Sequence, residues 1–117
     1  VPAIAFPKSL RIFGRDWKVR KMAKLLDEEG NEAVGLSHLE QQIIDVRTKQ
    51  SSLDTVDTLV HEVFHAIRHC QGRESGGEVE EDYVRTLATG LVGVLSDNPQ
   101  LATWLFSHFV VPPLPTK

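Results

Sequence analysis

The chain has 117 residues, 41% of them hydrophobic and 25% charged, with a formal net charge of −3. That length fits one domain, 1–117, with a single core; the charge balance gives no electrostatic case for nucleic acid, and no apolar run is long enough to span a bilayer. One cysteine, Cys70, excludes an internal disulfide and suits a reducing compartment, and no charged segment followed by an apolar run marks a signal peptide, so the expected location is cytoplasmic.

Residues 1–50 read mainly as β. Leu10-Arg11-Ile12-Phe13 and Trp17-Lys18-Val19-Arg20-Lys21 alternate apolar and polar residues around a turn at Gly14-Arg15-Asp16, which predicts a hairpin. Lys18, Arg20, Lys21 and Lys24 form a mild basic cluster, read as the solvated side of a strand. Glu28-Glu29-Gly30-Asn31 breaks the chain, and a second strand pair is expected over 33–38 and 42–47 about a turn near Leu39-Glu40.

A helix follows over about 53–70. Leu59, Val60, Val63, Phe64, Ala66 and Ile67 recur at helical spacing, and neither Gly nor Pro occurs from Ser51 through Gln71. Ser51, Ser52 and Asp54 offer N-cap oxygens, and Gly72 suits the C′ position. Within this helix lies His61-Glu62-Val63-Phe64-His65. Four residues of α-helix advance about 400° and about 6 Å, so His61 and His65 share a face and can close on one metal ion. Glu62 is one position round from His61, near enough to reach a water on that metal and act as its base. A solvated surface helix would carry such histidines without function, but the apolar background argues against it.

Zinc needs a further protein ligand. His69 extends the spacing but lies about 12 Å along the axis from His61, too far to share an ion whose bonds to nitrogen are about 2.0–2.1 Å. It is read as a cation at the helix C-terminus. A second helix over about 78–95, after the glycine-rich run 72–77, is the better source. Val84, Leu87, Ala88, Leu91, Val94 and Leu95 define its expected core stripe, which extends back to Glu80 and Glu81. Glu81 is the favoured ligand, with Glu80 and Glu78 in reserve; some of these acids simply complement the helix dipole. A third helix is expected over 99–109, with Pro99 at its first position and Leu101, Trp104, Leu105 and Phe109 as its apolar face, then an extended tail over 111–117.

The motif helix, short loop and second helix reading Glu81-x-x-Val84-x-x-Leu87-Ala88 resemble the HExxH metallopeptidases of the gluzincin type, and in size the chain is similar to small phage- and prophage-encoded metallopeptidases. The metzincin extension is absent, since Arg68 and Gln71 stand where its glycine and third histidine would be. The resemblance implies an α+β, minimal zincin-like domain: a small, mostly antiparallel sheet of N-terminal hairpins packed on the motif helix, with two further helices. It implies a Zn2+ site of His61, His65 and Glu81, with Glu62 as catalytic base, and a peptide or protein substrate added to a sheet edge beside the metal. Tyr83, His38, His108 and Arg85 are the oxyanion-stabilising candidates by residue type. Two other functions use the same residues: a zinc-stabilised binding module without catalysis, and a metal-dependent hydrolase of small amides or esters.

Overall fold

The computed structural model describes residues 5–74 and 76–109. In order these form β1 (Ser9–Ile12), β2 (Arg15–Met22), β3 (Gly35–His38), β4 (Ile43–Arg47), α1 (Ser52–Cys70), α2 (Gly77–Asp97) and α3 (Pro99–Ser107). The fold is α+β, and the three helices fall within a residue or two of their expected bounds. The expected tail over 111–117 lies outside the described residues. No helix among the described residues is long and apolar enough to cross a membrane.

Both expected hairpins form, but they meet in a mixed sheet. The strand order is β1-β2-β4-β3; β1 with β2 and β3 with β4 are antiparallel, whereas β2 and β4 run parallel. The first turn is Phe13-Gly14, with φ of 49° and 78°. Two residues with positive φ twist in the same sense as the strands they join, which lets Arg15 and Asp16 enter β2 where the sequence reading put them in the turn.

Alternation along the strands sorts the sheet into two faces. Trp17, Ile44 and Val46 are fully buried and cluster with Ile12 of β1 and Ala66 of α1. Between Ile44 and Val46, Asp45 points to the opposite face, yet it too is buried. Arg20 donates to both of its oxygens, at 2.7 and 2.9 Å, and His38 Nε2 lies 2.8 Å from Oδ2. Arg20 is thus a fixed counter-ion, not simply one of a solvated basic cluster.

The helix ends follow from local chemistry. Ser51 caps α1, its hydroxyl accepting from the Asp54 amide at 3.1 Å. At the other end Gly72, with φ 66°, turns the chain so that its amide reaches His69 O and the Arg73 amide reaches Arg68 O. This pairing is a Schellman motif, and a left-handed residue is what it requires. Between these ends α1 buries Thr58, Glu62 and Ala66, one turn apart.

The second helix departs from the expected stripe. It buries Glu80, Val84, Ala88 and Val92, also one turn apart, while Leu87, Leu91 and Val94 remain exposed. Small residues face α1 because the two helices approach closely there, with Ala66 and Ala88 both fully buried. Pro99 begins α3 as expected, but this helix buries no residue, so the face of Leu101, Trp104, Leu105 and Phe109 is not a core face within the described chain.

Candidate metal centre

The spacing of His61 and His65 on α1 sets their imidazoles side by side, with ring centroids 5.0 Å apart. Glu81, in the first turns of α2, reaches across to both. Its Oε1 is 2.7 Å from His61 Nε2 and its Oε2 is 3.1 Å from His65 Nε2. One ligand atom from each of the three residues lies within 4.8 Å of the others. In a tetrahedral zinc site with bonds of about 2.0–2.1 Å, donors stand about 3.3 Å apart, so small side-chain rotations would admit an ion. Two neutral imidazoles and one carboxylate suit zinc, and three ligands leave a fourth position open.

Both nitrogens of His65 face carboxylates. While Nε2 points at Glu81, Nδ1 lies 2.9 Å from Glu80 Oε2. Glu80 is buried and held in turn by Arg68, whose Nε donates to Oε1 at 3.2 Å. A metal taking the Nε2 lone pair leaves the proton on Nδ1, directed at Glu80. That is the carboxylate–histidine–metal arrangement which fixes tautomer and ring orientation. Glu80 and Glu81, alternatives for one position by residue type, thus meet different nitrogens of His65. Adjacent helical residues point about 100° apart, so the pair brackets the His65 ring.

Glu62 lies on the side of α1 that faces the sheet. It is 6% exposed, and the Ser37 hydroxyl on β3 sits 2.8 Å from its Oε1 and 3.1 Å from its backbone oxygen. The single hydroxyl proton serves one of these acceptors at a time. Burial pushes the Glu62 carboxyl above its ordinary range; the Ser37 hydrogen bond and the charges of His61 and His65 pull it back without cancelling that effect, and Glu81 adds to the rise. Gly35, two residues before Ser37, makes this contact possible. A Cβ there would stand 2.6 Å from Thr58 Cγ2 and 3.0 Å from Glu62 Oε2.

The remaining candidates scatter. His69 pairs with Glu74 at 2.6 Å in the last turn of α1. His38 lies on the outer sheet face with Asp45, His108 stacks edge-on to Trp104 at the end of α3, and Tyr83 is exposed with Arg68 over its ring. Arg85 alone stays beside the site, its Nη2 3.5 Å from Glu81 Oε1. Glu78 is outside the cluster of possible ligands.

Ser37 and Gly35 carried no local signal, since their importance comes from the sheet pairing that lays β3 against α1. No family model matches the chain, and neither the curated proteins nor the solved structures contain a significant match.

Proposed function

We propose that the protein is a zinc-dependent hydrolase, and that its substrate is a peptide bond. The observation that carries this reading is a cluster of His61, His65 and Glu81 with the buried Glu62 carboxylate on the same helix, near enough to interact with the charges of all three and held from the sheet by Ser37. His61, His65 and Glu81 would hold the metal, and when bound it supplies Lewis acidity and lowers the pKa of water.

Glu62 removes a proton from the attacking water and returns it to the leaving amine. A carboxylate held at a fixed place can take up the proton and hand it on without leaving its position. Ser37 restricts the carboxylate to one orientation, and Glu80 does the same for the His65 ring. Arg85, with its Nη2 3.5 Å from Glu81 Oε1, tempers the negative charge there.

The peptide assignment rests on β3. This strand lies at the sheet edge and pairs only with β4 among the described strands, so its outer side is free to accept an extended backbone. The same strand carries Ser37, so a chain added to it would run past Glu62. The site also supports the likeness to a minimal gluzincin-type domain, in which a glutamate from the helix after the motif completes the metal ligands. A purely structural zinc site would have no use for an unligated, buried acid beside the metal.

The test is Glu62→Gln in a mixed-peptide hydrolysis assay read by mass spectrometry. The amide occupies the same volume and cannot take the proton, so zinc content should persist while turnover falls by about 10²–10⁴-fold. Full activity in that variant would overturn the proposal.

A further inference from the structure

The second helix carries two apolar stripes, and the structure uses only one of them. Val84, Ala88 and Val92 pack inward. The other stripe, Tyr83, Leu87, Leu91 and Val94, remains 44–58% exposed along the length of the helix. It meets α3 at Phe106, which is 54% exposed and lines the same groove as Leu91. Between α1 and these helices runs an apolar groove of about 630 Å³, lined by Leu53, Val56, Val60, Leu91, Leu95 and Phe106. An apolar stripe of this length is ordinarily packed away from water, and nothing within the described residues covers this one.

We infer that the exposed face of α2 and α3 is a self-association surface, occupied by the same face of a second copy of this chain. Two observations select that occupant. The first is area. Val79, Tyr83, Leu87, Leu91 and Val94 of α2, with Phe106 of α3, are each 44–65% exposed. This amounts to roughly 600 Å² per chain, at the top of the range for the largest patch of an ordinary monomer and approaching the about 800 Å² per partner of a stable complex.

The second observation is charge. From Thr86 to Phe109 the only formally charged residue is Asp97, in a chain that is 25% charged. A surface chosen for a charged partner would carry complementary charges at its rim. A surface that meets itself across a two-fold axis gains from having none, because every group near the axis faces its own copy. Gly90 lies midway along the exposed side of α2, and a Cβ built there meets nothing within 4 Å, so two backbones can approach closely at that point.

Sedimentation of the full chain, from low-micromolar concentration upward, tests this. The wild type should reach twice the mass of one chain and no more. Leu87→Glu combined with Leu91→Glu should raise the dissociation constant by at least about 100-fold, since two central anchors are replaced by charges. Both positions are exposed within a single chain and glutamate favours helix, so circular dichroism should be unchanged. Phe106→Ala provides a second variant on the other helix and should also weaken association. A wild type that stays at the mass of one chain, an association that the double variant leaves intact, or an assembly that grows beyond two copies would each overturn the inference.

Discussion

Glu80 and His65 meet across the α1–α2 interface with 2.9 Å between Oε2 and Nδ1, while the neighbouring Glu81 takes the other ring nitrogen of the same histidine. One carboxylate is buried and braced by Arg68; the other is 39% exposed and faces the open side of the cluster. This division of labour gives the two residues different mutational signatures.

Glu80→Gln should reduce zinc affinity by about 10–100-fold, the usual cost of losing a carboxylate behind a ligating imidazole. Glu81→Gln should cost clearly more, because a ligand is removed. Competition against a chromogenic chelator measures both. A larger loss from Glu80→Gln would mean that Glu80 is the ligand and Glu81 the brace.

Gly35→Ala should destabilise the fold by about 1–3 kcal/mol, since the new methyl would overlap Thr58 Cγ2 and crowd Glu62. Its thermal midpoint should fall, and the Glu62 carboxylate should be displaced with β3. A Gly35→Ala protein as stable as the wild type would show that β3 does not press on α1 as described.

Asp45 predicts an acid-side dependence of stability. Burial works to raise its carboxyl pKa, but hydrogen bonds from Arg20 and His38 and their charges outweigh burial, so the folded value is lowered. The stabilisation is therefore fully present above the unfolded value of about 3.9 and is lost as pH falls through the lower folded value. Asp45→Asn should lose about 1–3 kcal/mol at neutral pH and lack that component of acid destabilisation. Parallel denaturant titrations at successive pH values would show it; identical acid limbs in the two proteins would contradict it.

Much of the site was legible because its signals are local. Ser51, Gly72 and the four-residue spacing of the histidines specify α1, its ends and its shared face within one stretch of chain. The phase of α2 was harder to read. Of the stripe Val84, Leu87, Ala88, Leu91, Val94 and Leu95, the structure buries Val84 and Ala88 and leaves Leu87, Leu91 and Val94 exposed, because close approach of the helices favours the smaller residues. The apolar face expected of α3 is likewise one that the structure does not bury. Glu81 is the acid that lies with both His61 and His65, although Glu80 is the one on the buried stripe. The parallel junction of β2 with β4, and with it the placement of Ser37 and Gly35 against Glu62, depends on pairings between distant segments that no local pattern encodes. Asp45 likewise sits in an alternating strand where a solvated polar residue is the ordinary expectation, and only the positions of Arg20 and His38 make it a buried one.

Zinc binding by the purified chain and by His61→Ala, His65→Ala and Glu81→Gln measures whether the cluster between α1 and α2 holds a metal. The geometry predicts about one zinc per wild-type chain, held through two imidazole nitrogens and a carboxylate, with most of it lost in each variant. A wild type that binds no zinc, or variants that retain a full equivalent, would contradict the account.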